Sequence, residues 1–357
     1  MTRDQETRGT DAVAFGSYAG PAPRYRGSTT QSSYITMRDG VRLAADVTLP
    51  RNLPPETRLP ALLSQTRYWR AMELRAPFKW FLKPSALDPH FRDFTPFFVS
   101  RGYALVQVDV RGTGASFGTW LCPWAPDAVE DAREVIDWIV AQPWSDGRVG
   151  AHGISYVGTT AELTAVLGHP ALLAALPMFN HPDPYADIAF PGGILNRRFL
   201  EAWGHMDEVL DRNEVPAEFG LAGRLIVKGV KPVGGEGGRD LLRAAVKEHG
   251  ANGSVAAMIR EIECRDDKPL GQDFTIDSIA VHHYQAELIA ADVPLCGWGS
   301  WMDAGTADAQ RANRRQATGI RGRFMEHLSL EQWLTGRGAS HFGQVNRGLS
   351  CQRGRGN

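Results

Sequence analysis

One stretch restricts the fold of this chain more than any other: Gly150-Ala-His-Gly-Ile-Ser-Tyr-Val-Gly158. Apolar residues lead in from Val149, and small, helix-forming residues run from Thr159 to Leu167. The pattern predicts a strand, a sharp turn and a helix, with Ser155 at the apex. A serine on such a turn is held clear of the backbone, where a substrate can meet it. Small neighbours are needed because the turn leaves little room for side chains. The N–H groups of Ser155 and its neighbours lie at a helix N-terminus, which suits a developing negative charge. The usual elbow reads G-x-S-x-G, whereas here Val157 holds the last position and Gly158 comes one later. Alone, the Gly153-Ile-Ser155 triplet fits any Gly-rich βα turn as well as a nucleophile elbow.

The flanking pattern supports an α/β fold with a mostly parallel sheet. Asp39-Gly40 between two alternating runs signals a hairpin. Leu59 to Ser64 and Tyr103 to Val110 read as buried strands, the second apolar nearly throughout. Val129, Ala132, Val135, Ile136 and Ile139 fall on one helical face between Ala128 and Gln142. Leu172 to Phe179 is a further strand, and strand character returns at Val293 to Gly299. Strands alternating with helices at this spacing argue for a parallel sheet. The expected organisation is a polar N-terminal arm (1–31), a first core segment (32–180), a helical cap insertion (181–290), a second core segment (291–330) and a polar tail (331–357). Within the insertion Arg198–Arg212 and Leu241–Arg260 read as helices with no strand between them, and Val230–Gly238 as a linker. A helix is expected from about Thr306. Past Gly319 nothing alternates as strands do.

With 357 residues, 43% hydrophobic and a formal net charge of -1, the chain has the balance of a globular protein with a large core. Near-neutral charge gives no support to nucleic-acid binding by broad electrostatics. Cys122, Cys264, Cys296 and Cys351 form no C-x-x-C pair, so neither a zinc site nor a disulfide framework is indicated. No apolar run reaches membrane-spanning length and the N-terminus has no signal-peptide core, so a cytoplasmic protein is expected.

A serine nucleophile needs a base, and the base needs an orienting acid, in the order Ser, Asp or Glu, His. Asp303 follows the strand at Val293 and fits the acid, or equally a helix N-cap. After it only His327 and His341 are available as base. His152 lies on the strand before the turn and should point away from Ser155. His181 and His282-His283 have no partner at metal-ligand spacing and read as structural. The backbone N–H of Tyr156 is one candidate oxyanion donor. Tyr68, after the early strand, is either a second donor or a packed aromatic. Arg111-Gly-Thr-Gly-Ala-Ser-Phe-Gly118 lacks the Lys-[Ser/Thr] of a phosphate loop and reads as a tight structural loop. Tyr185, Phe190, Phe199 and Trp203 either wall an acyl pocket or form the insertion's own core.

Several stretches together resemble the CocE/NonD hydrolases, the cocaine esterase and X-prolyl dipeptidyl aminopeptidase group of α/β-hydrolases. They are Met37–Leu43 with Ala45–Val47, Thr66-Arg-Tyr68, Asp109–Gly118, Gln142–Gly147, Gly153–Gly158, His169-Pro170 and Gly297–Asp303, and the match covers about 33 to 305. The nucleophile motif of that group is G-x-S-Y-x-G, so the valine at 157 is what the resemblance predicts. The resemblance implies an α/β-hydrolase fold, Ser155 as nucleophile, the Tyr156 N–H and Tyr68 hydroxyl as oxyanion donors, Asp303 as acid and His327 as base. Phe190 and Trp203 are expected near the substrate. The implied reaction is ester hydrolysis, with X-Pro amide cleavage or a non-catalytic protein as alternatives. No cofactor and no metal are expected, and the partner is a small ester or peptide; self-association is left open. Relatives of this type continue into a jelly-roll domain, so a shortened or frame-altered chain after Gly319 is also an expectation.

Overall fold

The computed structural model describes residues 22–82 and 94–300, Asp303, Thr306 and the backbone of 322–325. Its strands are β1 (Ser28–Thr36), β2 (Arg42–Pro50), β3 (Leu59–Thr66), β4 (Met72–Leu74), β5 (Ala104–Asp109), β6 (Ser145–Ile154), β7 (Leu172–Met178), β8 (Val227–Val230), β9 (Leu295–Trp298) and β10 (Gly322–Met325). The helices are α1 (Phe94–Ser100), α2 (Pro126–Val140), α3 (Tyr156–Val166), α4 (Arg197–Asp211), α5 (Gly220–Ile226), α6 (Arg239–Glu248), α7 (Val255–Met258) and α8 (Gln285–Ala291).

An eight-stranded sheet runs in the order β1-β2-β5-β3-β6-β7-β9-β10. β1, β2 and β5 pair antiparallel, and every pair from β5–β3 onward is parallel. The chain passes from β3 to β5 on one side, then crosses back to β6 on the other. The C-terminal ends of β3 and β6 therefore flank a crossover, where open α/β sheets place their ligands. β5 and the inner face of α2 supply much of the core: Val106, Val108, Val135, Ile136 and Ile139 are fully buried. Burial of each such side chain contributes roughly 1.5–3 kcal/mol. No helix among the described residues is long and apolar enough to cross a membrane.

Four expectations change. The N-terminal arm does not extend to residue 31, because β1 begins at Ser28, paired with Pro50. Its Ser, Thr and Gln side chains suit a solvated edge strand, whose backbone is satisfied by β2. The insertion is not purely helical, since β8 pairs antiparallel with β4 and so ties the segment after β3 to the cap. Leu241–Arg260 divides into α6 and α7 around His249–Asn252, where Asn252 accepts from the Trp120 N–H at 2.7 Å. Beyond Gly319, β10 lies parallel to β9 with Met325 opposite Trp298. Four residues at the end of the strand order are too short for their pattern to signal a strand. The expected helix from Thr306 and the tail at 331–357 lie outside the described residues, apart from Thr306 itself.

Candidate active site

Ser155 sits between the last residue of β6 and the first of α3, is exposed, and has φ 58 and ψ -122. A positive φ at a non-glycine residue is a local strain that the surroundings must hold in place. They do so by close approach. A Cβ on Gly153 would lie 2.3 Å from Val157 Cγ1, and one on Gly158 2.5 Å from the Met178 carbonyl oxygen. The second glycine is thus needed where α3 backs onto β7, one residue later than the usual elbow places it, while Val157 covers Gly153.

The Ser155 N–H donates to the Met178 carbonyl at 2.9 Å. It is therefore committed to the sheet and does not join the anion-facing donors expected of the helix start. The Tyr156 N–H comes next, at the first position of α3. Tyr156 is 2% exposed, and its ring is fixed from two sides. Trp124 stacks on it with centroids 5.0 Å apart and donates its indole N–H to the Tyr156 carbonyl at 3.1 Å. Tyr68 meets it edge-on at 5.8 Å. Burial pushes the Tyr156 phenol up to about 12.

Tyr68 follows β3, and β3 pairs in parallel with β6, so the two tyrosines emerge side by side at one sheet edge. The corner is held by a buried arginine on each side. Arg67, with no exposed surface, is paired with Asp207 and Asp211 of α4 and lies 4.4 Å from the Trp120 ring centroid. Arg70 is paired with Asp46 of β2 at 2.9 Å and Asp109 of β5 at 2.8 Å. The Tyr68 hydroxyl accepts from the Trp203 indole N–H at 2.9 Å. Burial, with Asp207 close by, holds the Tyr68 phenol well above its ordinary value. The Asp207 carboxyl is likewise pushed up to about 7 by burial, against the pull of Arg67.

Asp303 lies beyond β9. Ile154 pairs with Met178, and Met178 with Trp298, so β6, β7 and β9 end at one level. That places Ser155 and Asp303 beyond the same edge. Burial raises the Asp303 carboxyl, partly offset by a hydrogen bond from Thr306. His327 and His341 lie outside the described residues. His152 points to the other side, as expected, and stacks on Phe94 at 4.4 Å. His181 is also pushed down, to about 4, by burial. His282 does have carboxylate neighbours in space, Asp277 at 3.2 Å and Asp183, but the Arg265 guanidinium bridges both carboxylates.

Trp203 lines an apolar cavity of about 60 Å³ with Trp124, Ile188, Leu200, Val255 and Ile276. Phe190 is not among the residues lining it and stacks instead on Tyr185 at 4.6 Å. The Arg111–Gly118 loop is structural as expected: Arg111 is bound by Asp39 and Asp131, and Ser116 donates to the Asp109 carbonyl at 2.6 Å. Arg67, Trp124, Asp207 and Asp211 were not anticipated. Two buried aspartates four residues apart on the apolar face of α4 were the available signal, since unpaired carboxylates do not face a core.

A family model described as X-Pro dipeptidyl-peptidase (S15 family) matches residues 39–252. A Mycobacterium bovis protein named as a serine esterase is 41% identical over 310 residues, covering 80% of this chain and 49% of the relative. The cocaine esterase of a Rhodococcus species is 36% identical over 177 residues, covering 49% of this chain and 28% of the esterase. The chain thus spans about half the length, or less, of the curated relatives it matches. Among solved structures, a CocE/NonD family hydrolase from Staphylococcus aureus superposes with a TM-score of 0.60 at 20% identity, covering 93% of this chain and 52% of the other. That likeness establishes a shared fold.

Proposed function

The chain belongs to the X-Pro dipeptidyl-peptidase (S15) family and has the fold of the CocE/NonD α/β-hydrolases, and from that premise we propose that it hydrolyses carboxylic esters through an acyl-Ser155 intermediate. The observation that carries this reading is Ser155 itself, exposed at φ 58 on the elbow between β6 and α3. In the reaction Ser155 Oγ adds to the ester carbonyl carbon while its proton passes to His327. The oxyanion is bound by the Tyr156 N–H and the Tyr68 hydroxyl. Collapse expels the alcohol, which takes the proton from His327. Water then attacks the acyl-enzyme by the same steps and releases the acid. Asp303 orients the histidine and offsets its charge. Met325 of β10 is opposite Trp298 and ends β10 at the edge that carries Ser155; His327 itself lies outside the described residues. No cofactor takes part. The cavity beside Trp203 is suited to a short apolar acyl group, and four cysteines with no C-x-x-C pair fit a cytoplasmic enzyme.

Turnover of p-nitrophenyl acetate and butyrate by the wild type, Ser155→Ala, His327→Ala and His341→Ala tests the assignment. Loss of turnover in the first two variants with activity kept in His341→Ala is expected. Activity kept in His327→Ala and lost in His341→Ala moves the base to His341. The family description favours a second reading, cleavage after an X-Pro dipeptide. Preferential hydrolysis of an X-Pro p-nitroanilide over both esters would replace the first reading with it.

A further inference from the structure

We propose that Trp203 is a positioning residue, whose indole N–H fixes the Tyr68 hydroxyl as a hydrogen-bond donor toward the reacting carbonyl. The inference rests on the reading of Tyr68 as an oxyanion donor. An indole N–H can only donate, and it reaches the Tyr68 oxygen at 2.9 Å. On the Trp203 side the phenol oxygen is therefore an acceptor, and its own proton has to point elsewhere. Among the described residues no acceptor is bonded to that proton. A phenol without such a neighbour could turn its proton to any acceptor in reach and present a lone pair to the oxyanion, which repels it.

The grip is built into one face of α4. Trp203, Asp207 and Asp211 are spaced four residues apart and so lie along a single stripe. Asp207 and Asp211 hold Arg67, and Trp203 holds the next residue, Tyr68. Adjacent residues of the corner are thus fastened to adjacent turns of the same helix. The raised phenol keeps the proton in place across the working pH range, so its direction, not its presence, is what Trp203 sets.

The test uses the rate at which a fluorophosphonate labels Ser155, because that reaction also passes through a charge on the bound oxygen. Tyr68→Phe is expected to slow labelling roughly a hundredfold, as loss of an oxyanion donor does. Trp203→Phe, which keeps the ring and loses the N–H, should slow it about tenfold. In the Tyr68→Phe background Trp203→Phe should have no further effect, because residues acting through one group are non-additive. Met206→Ala removes packing on the same helix and should leave the rate near the wild-type value. Trp203→His returns a ring N–H and should recover part of the loss. A wild-type rate in Trp203→Phe, a further loss on the Tyr68→Phe background, an equal loss in Met206→Ala, or no recovery in a folded Trp203→His would each overturn the proposal. A wild-type rate in Tyr68→Phe alone would instead remove the oxyanion reading beneath it.

Discussion

Ser155 is exposed because its neighbours permit no other path for the chain. The strain at φ 58 is held by Gly153 under Val157 and by Gly158 against Met178. Gly153→Ala would put a methyl group 2.4 Å from the Val157 carbonyl oxygen, and overpacking of this kind costs about 1–3 kcal/mol. Denaturant unfolding should register that loss, and an unchanged midpoint would contradict the account of the elbow. His152, two residues upstream of Ile154, belongs to stability and not to catalysis. Burial pushes it down to about 3, below its usual 6.5. Its folded pKa is depressed, so the unfolded chain binds the extra proton between these values. Stability is then full above about pH 6.5 and is lost as the pH falls, by at most about 1.4 kcal/mol per pH unit for this one group. His152→Phe should flatten the acid side of the stability profile, and a profile of the same slope would refute the assignment.

At the scale of elements, the corner after β3 carries the argument. Arg67 joins it to the cap helix α4, and Arg70 joins it to β2 and β5. Removing one member of a buried ion pair leaves the others charged and desolvated, at a cost of about 3–5 kcal/mol. Arg67→Met should therefore lower the unfolding free energy by that order, whereas a neutral change would mean that the raised Asp207 carboxyl is already protonated in the wild type. The elbow, the Asp39-Gly40 hairpin, β5 and α2 were legible in the sequence because their signals are local: turn residues, an apolar run, a helical stripe. The β4–β8 ribbon was not, since each strand is short and its partner lies more than a hundred residues away in the chain. β10 was missed for a related reason, as its four residues leave too little alternation to read. Tyr68 stayed divided between donor and packed aromatic on its residues alone, because nothing in Thr66-Arg-Tyr68 reveals that Trp203 of α4 will reach its hydroxyl.

Across the whole molecule, parallel pairing is what collects the site. β3, β6 and β9 deliver Tyr68, Ser155 and Asp303 to one edge from positions far apart in the chain. Sequence spacing alone left Asp303 divided between triad acid and N-cap. The register of β9 against β7 puts it beyond the same edge as Ser155, and its turn to Thr306 includes the Thr306 hydroxyl at 2.9 Å from its backbone carbonyl. Asp303→Asn preserves that turn and should still lower kcat by about three to four orders of magnitude, as loss of a triad acid does. Full turnover in this variant would return Asp303 to a capping role. The central claim, that Ser155 is an acyl-accepting nucleophile, is tested most directly by intact-mass and peptide mapping after treatment with a fluorophosphonate. A single adduct on the peptide containing Ser155, absent from Ser155→Ala, is the predicted result. No adduct on the folded wild type, or an adduct that persists in Ser155→Ala, would contradict it.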